Sequence, residues 1–152
     1  MTQIDWTIYS NDTTKIDLSG NEIQELNWEG CPGNITEIDL RCNEIQELNW
    51  KGCPENLTRI DLNDNEIKEI NWEGCPKTLT YIYLNYNQIE EMNWKGCPEN
   101  LTWIYLGNNQ IKEMNWEGCL EITRNLTYIN LSDNKIQELN WKGCPKTLTK
   151  ID

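Results

Sequence analysis

The sequence predicts a repeat solenoid: a curved stack of coils with a parallel β-sheet on the concave face, extended or 3-10 connections on the convex side, and little or no α-helix. Three observations carry this prediction. The string Ile-x-Glu-(Leu/Ile/Met)-Asn-Trp-(Glu/Lys)-Gly-Cys occurs six times, each copy preceded by Leu-x-x-Asn. Asn21, Asn43, Asn65, Asn87 and Asn109 are spaced by 22 residues, with Asn134 three residues late. A fixed period of that length marks stacked units that bury one continuous core. Within each copy a short apolar alternation is followed by a Gly-Cys-Pro interruption in all but the fifth, which loses the proline.

One copy, Leu57 to Thr78, justifies each element in order. Around Arg59-Ile60-Asp61-Leu62 polar and apolar residues alternate with period two, so this is a short strand whose Ile and Leu point inward. After the strand, Ile67 and Ile70 stand three residues apart, then Trp72 and Cys75 three apart again. Pro76 then removes a backbone donor and pushes Cys75 out of the α region, so the return path is extended or a short 3-10 turn. Trp28, Trp50, Trp72, Trp94, Trp116 and Trp141 occupy one column and are expected to stack as a packed spine. Cys31, Cys53, Cys75, Cys97, Cys119 and Cys144 form a second column, expected to be a file of small buried thiols, with Cys42 outside it. A linear file without any His is a poor source of tetrahedral ligands, so no metal site is expected.

The pattern Leu-x-x-(Ile/Leu)-x-Leu-x-x-Asn-x-Ile is matched in four repeats from Ile35 to Ile111 and again from Leu126 to Ile136. It resembles the leucine-rich repeat family. The first copy departs from it at Thr13, as a repeat merging into a cap would, and the Asn-Trp-x-Gly-Cys-Pro half is not the common version of the motif. The resemblance implies that Asn65 and its equivalents turn inward to hydrogen-bond neighbouring backbone, and that the protein is a non-catalytic protein-binding scaffold. Short, nearly identical repeats of this composition resemble those of large DNA viruses and some protists. One domain spanning 1–152 is expected: a cap at 1–12, repeats at 13–34, 35–56, 57–78, 79–100, 101–125 and 126–147, and the start of a seventh strand at 148–152. The alternation Ile4-Asp5-Trp6-Thr7-Ile8 is expected to cover the first repeat. The residues Leu120 to Asn125, which carry the late spacing, are expected to enlarge a surface turn.

Net charge is minus 12, with no His and three Ser. Nucleic acid and anionic membrane surfaces are unsuitable partners, since phosphate binding needs clustered Lys and Arg. No basic-then-apolar leader opens the chain, and no apolar run approaches membrane-spanning length, so a cytoplasmic location is expected, in a host cell if the source is viral. The Asn-x-(Ser/Thr) triplets at Asn11, Asn34, Asn56, Asn100, Asn125 and Asn130 are then expected to stay bare. The Glu25, Glu47, Glu69, Glu91, Glu113 and Glu138 file reads as a solvated edge, because identical environments cannot separate an acid from a base. The alternation Glu29, Lys51, Glu73, Lys95, Glu117, Lys142 predicts coil-to-coil charge matching. No catalytic residue and no cofactor is expected.

Variation between the copies is the better functional signal. At the outward position before the central Ile stand Lys15, Glu37, Arg59, Tyr81, Trp103 and Tyr128; at the one after it, Asp17, Asp39, Asp61, Tyr83, Tyr105 and Asn130. Five of the six tyrosines lie in the later repeats, with Tyr86 just beyond a strand. Neighbouring strands lie about 4.8 Å apart, so these rings should form one patch. Exposed aromatic clusters mark interaction sites. The candidate partner-binding residues are therefore Tyr81, Tyr83, Tyr86, Trp103, Tyr105 and Tyr128, flanked by Asp17, Asp39, Asp61 and Arg59. The expected partner is a protein with an apolar patch or a basic edge. The alternative is a structural or surface-adsorbing solenoid, using the file Thr14, Thr36, Thr58, Thr80, Thr102, Thr127 and Thr149 or self-associating as a homodimer through the strand at its C-terminal edge.

Overall fold

The computed structural model describes residues 4–119 and 125–152. Seven short strands form one parallel sheet in chain order: β1 Lys15–Asp17, β2 Glu37–Asp39, β3 Arg59–Asp61, β4 Tyr81–Tyr83, β5 Trp103–Tyr105, β6 Tyr128–Asn130 and β7 Lys150–Ile151. The register places each central Ile beside the next, from Ile16↔Ile38 to Ile129↔Ile151. It survives the longer fifth repeat, where Trp103 still pairs Tyr128. The central Ile of β1 to β6 is buried while its two neighbours face outward, as the period-two alternation requires. The described residues contain almost no helix. The expected turn at Leu120 to Asn125 lies outside the described residues except for Asn125 itself.

Two consecutive turns on the back of the five coils that carry the proline explain why no helix forms there. Cys31 N–H donates to Trp28 carbonyl at 3.0 Å, and Gly30 between them has φ 85°, the third position of a type II turn. Proline then supplies the next acceptor: Leu57 N–H donates to Pro54 carbonyl and Leu79 N–H to Pro76 carbonyl, both at 3.1 Å.

The tryptophan column is buried from Trp6 to Trp116. An indole N–H taken out of water needs an acceptor, and the next coil supplies it. Trp28, Trp50, Trp72 and Trp94 donate to the carbonyls of Asn49, Asn71, Asn93 and Asn115 at 2.6, 2.7, 2.6 and 2.8 Å. Trp6 belongs to the same column, 22 residues before Trp28. It sits in a 3-10 turn, Trp6–Ile8, stacks on Trp28 at 5.9 Å and donates to Asn27 carbonyl at 2.8 Å. The cap segment thus contributes a spine residue through a 3-10 turn. At the other end the expected spine is corrected, because Trp141 is 56% exposed. Its preceding neighbour Trp116 keeps a buried N–H with no acceptor among the described residues. Trp141 makes no ring contact among the described residues, whereas Trp6 is held by its stack on Trp28.

Ring stacking runs along both faces of the solenoid: Tyr83 and Tyr105 on the strand side are 4.6 Å apart, and Trp94 and Trp116 on the back are 5.8 Å apart, with planes turned by 13°.

Inside the strand-to-back bend, Asn43, Asn65, Asn87 and Asn109 are buried. Asn65 shows the pattern: its Oδ1 accepts from Ile45 N–H at 3.0 Å, and its Nδ2 donates to the carbonyls of Leu40, Leu62 and Asn63 at 3.0, 3.1 and 3.3 Å. One amide thereby satisfies backbone groups of two coils that would otherwise be buried unpaired.

Cys97 and Cys119 are buried, while Cys31, Cys53, Cys75 and Cys144 are partly exposed, so the thiol file is graded rather than uniformly buried. Burial pushes the Cys31 thiol up to about 12 and raises Cys53, Cys75, Cys97 and Cys144 as well. The alternating Glu29 to Lys142 column forms no ion pair within 4.0 Å among the described residues. Side-chain coupling between coils occurs instead in other columns, as Gln24 to Glu44 at 2.8 Å, Gln46 to Glu66 at 3.0 Å and Lys112 to Glu90 at 3.0 Å.

Candidate functional site

In-register pairing of β4, β5 and β6 brings Tyr81, Tyr83, Trp103, Tyr105 and Tyr128 together on the concave face. Tyr83 stacks on Tyr105 at 4.6 Å, and Tyr81 meets Trp103 edge-on at 5.7 Å. Trp103 and Tyr105 each reach Tyr128, at 5.5 and 5.0 Å. The cluster is closed at both ends by a cation over a ring: Arg59 Cζ lies 4.7 Å from the Tyr83 centroid and Lys150 Nζ 5.0 Å from that of Tyr128. Lys150 was not legible as a site residue, because it belongs to the last, partial copy. Tyr128 hydroxyl donates to Asp152 at 2.9 Å, and desolvation raises the pKa of both Tyr105 and Tyr128. Trp103 is the most exposed member, at 40%.

Tyr86 stands apart from the other five candidates and makes no ring contact among the described residues. It is 57% exposed and has φ 56°, in the left-handed region. The same column holds Gly20, Cys42, Asp64, Asn108 and Asp133, also at positive φ. Gly, Asn and Asp suit that conformation and a tyrosine does not.

The tyrosines also displace a local turn. In the early coils the carboxylate at the second outward position accepts the N–H two residues on: Asp17 from Ser19 at 2.9 Å, Asp39 from Arg41 at 3.0 Å, Asp61 from Asn63 at 3.1 Å. Asn130 does the same for Ser132 at 3.0 Å. Tyr83 and Tyr105 have no such acceptor. The stranded N–H groups of Asn85 and Gly107 are instead taken by Oδ1 of Asn63 and of Asn85, each one coil back, both at 2.8 Å. Gly107 makes room for this, since a Cβ there would lie 2.9 Å from Asn130 Oδ1 and 3.0 Å from Asn85 Oδ1.

The flank over β1 to β3 is of mixed sign. Lys15 pairs Glu37 at 2.8 Å and Arg41 pairs Asp39 at 2.6 Å, with Asp61 3.8 Å from the same guanidinium. Together with Asp17 and Arg59 these residues line a cleft of about 450 Å³. The hydrogen bond from Arg41 holds Asp39 below the usual carboxylate range, whereas desolvation raises Asp61. The concave face is thus close to charge balance, and most of the acidic surplus lies on the loops and the back.

The threonine file spends its hydroxyls internally. Thr36, Thr58 and Thr149 donate to the carbonyls of Thr14, Thr36 and Thr127 at 3.0 to 3.1 Å. Thr80 and Thr102 donate to Thr78 and Asn100 carbonyls.

These features define a class of protein first: a solenoid of short parallel coils with an asparagine ladder inside and a variable strand face outside. Leucine-rich repeat profiles match residues 33–89, 55–111 and 125–149, and the chain belongs to the leucine-rich repeat family. Among solved structures it is similar to the functional domain of InlJ from Listeria monocytogenes, described as including a cysteine ladder. The two share 23% identity and a TM-score of 0.72 over 97% of this chain and 31% of that one. It is also similar to the leucine-rich repeat domain of APL1B, at 20% identity and a TM-score of 0.65 over 78% of this chain and 36% of that one. The corresponding domain of APL1 gives 17% identity and 0.67 over 86% of this chain and 35% of that one. The chain spans about a third of the length of these structures, and at such identities the likeness establishes the fold. No curated protein sequence matches it. No helix among the described residues is long and apolar enough to cross a membrane.

Proposed function

We propose that the chain is a non-catalytic scaffold whose concave face binds a protein partner over β4 to β6. The observation that carries this reading is the five-ring cluster of Tyr81, Tyr83, Trp103, Tyr105 and Tyr128, set on a sheet whose first three strands carry charges instead. Sheet pairing does not require it, since β1 to β3 pair in the same register without a ring. The tyrosines also remove two local turn acceptors that Asn63 and Asn85 must replace. Tyr and Trp dominate the energetic centres of protein interfaces. The mixed-sign flank of Asp17, Asp39, Asp61 and Arg59 then acts as a polar rim, which suits a partner with an apolar centre better than a strongly basic one. The exposed thiol of Cys42 and the partly exposed ones of Cys31, Cys53, Cys75 and Cys144 suit a reducing compartment such as the cytoplasm.

The test is capture of partners by the intact chain and by a Tyr83→Asn, Trp103→Ser, Tyr105→Asn variant of unchanged fold and oligomeric state. A partner retained by the first and lost by the second supports the concave patch. Equal recovery refutes it.

A further inference from the structure

The hydrogen-bonding inventory of the patch is one-sided. Trp6, Trp28, Trp50, Trp72 and Trp94 all give their indole N–H to a backbone carbonyl. Trp103 does not, and among the described residues its N–H has no partner; the same holds for the hydroxyls of Tyr81, Tyr83 and Tyr105. Arg59 lies over Tyr83 and makes no ion pair within 4.0 Å among the described residues. The carboxylate at the far end, Asp152, is already engaged by Lys150 at 2.6 Å and Tyr128 at 2.9 Å. The surface therefore combines aromatic rings with unused donors, and among the described residues its uncommitted acceptors are few: the phenol oxygens and Asp152 Oδ1, since both contacts to that carboxylate fall on Oδ2.

An ordinary extended peptide laid there would bring backbone N–H groups into a place with few acceptors and leave them desolvated. A proline-rich chain has carbonyl acceptors and almost no N–H. In the polyproline II conformation it makes no internal hydrogen bonds, so every carbonyl is available, and little entropy is lost on docking. The repeat lengths agree too. Three residues of polyproline II rise about 9.3 Å, while two strand steps cover about 9.6 Å. A chain crossing the sheet at right angles to the strands would present the same face to β4 and β6. The distance between the flanking cations, from β3 to β7, is four steps or about 19 Å, the length of about six such residues.

We propose that the concave patch takes a proline-rich segment in the polyproline II conformation, lying across β4 to β6 with its carbonyls on Trp103, the tyrosine hydroxyls and Arg59. This rests on the reading of that face as the docking surface. The probe is acetylated, amidated decaproline, titrated into the full-length 15N-labelled chain while the indole N–H resonances are followed. A Gly-Ser peptide of equal length is the control. Decaproline is expected to shift the Trp103 indole resonance saturably and the control to leave it in place. Trp103→Phe, which keeps a ring but removes the donor, should weaken binding about tenfold, read on the backbone amides of β4 to β6. Tyr105→Asn, which has its counterpart in Asn130 at the same column, should abolish it without loss of fold. An unmoved Trp103 resonance at about 5 mM decaproline overturns the proposal. So does an equal shift with the Gly-Ser peptide, or a shift confined to the exposed Trp141. If decaproline fails while a captured partner is still lost by the triple variant, the proline preference falls and the docking face stands.

Discussion

Replacing Asn63 by Ala removes the oxygen that accepts Asn85 N–H at 2.8 Å, the bond that stands in for the acceptor lost at Tyr83. The amide is half-buried, so the cost lies between that of a lost hydrogen bond and of a stranded buried donor, about 1–2 kcal/mol. The Asn63 side chain makes no other bond among the described residues, which isolates this term. In a Tyr83→Asn background the outcome should differ. Asn130 at the equivalent position caps Ser132 N–H at 3.0 Å, so the side-chain amide introduced by Tyr83→Asn can cap Asn85 N–H in the same way. Asn63→Ala should then cost about 0.5 kcal/mol or less, giving a coupling energy of about 1 kcal/mol in the double-mutant cycle. Urea unfolding of the four proteins supplies the cycle, and hydrogen exchange at the Asn85 amide reads the bond directly. Equal costs in both backgrounds, or an Asn85 amide whose protection ignores Asn63, would refute the compensation argument.

Tyr86→Asn should stabilise the fold by about 0.5–1 kcal/mol, raising Tm by a few degrees, because asparagine tolerates the φ of 56° found there. Gly107→Ala should cost about 1–3 kcal/mol in urea unfolding, since its Cβ would press on Asn85 Oδ1 at 3.0 Å and disturb the bond that this oxygen accepts from Gly107 N–H. Burial raises the thiols of the cysteine file, Cys31 to about 12, above the unfolded value near 9. Their contribution to stability is therefore whole below about pH 8.5 and is lost as pH climbs toward 12. Urea midpoints should fall between pH 7 and pH 10, and a flat profile would contradict the burial. Iodoacetamide at neutral pH should label the exposed Cys42 before the buried Cys97, as peptide mapping of the native protein would show.

Much of the architecture can be read from the residues because it depends on local periodicity. Ile60 between Arg59 and Asp61 already specifies a strand with one buried face, and the leucine-rich repeat resemblance already implies that Asn65 turns its amide inward. The aromatic patch was legible for the same reason, since a parallel sheet with a constant period must set Tyr83 beside Tyr105. Trp6 was open to detection by its 22-residue spacing from Trp28 but lies in a segment that otherwise lacks the repeat pattern. Trp141 shows the opposite limit. Its motif is intact, yet it is exposed, because burial depends on a neighbouring coil rather than on the residue's own segment. The Glu29 to Lys142 column likewise alternates in sign without pairing, since chain spacing does not fix where long side chains point.

The sequence alone determined the coil length and which strand residues face inward, since these follow from the 22-residue period and the alternation within it. Only the tertiary structure decided where Arg59 and Lys150 settle, which coil replaces the acceptor lost at Tyr83 and Tyr105, and which indole N–H groups stay unused. Those outcomes are set by distances between coils, where a hydrogen bond or a cation over a ring exists only if two separate segments come within a few ångströms.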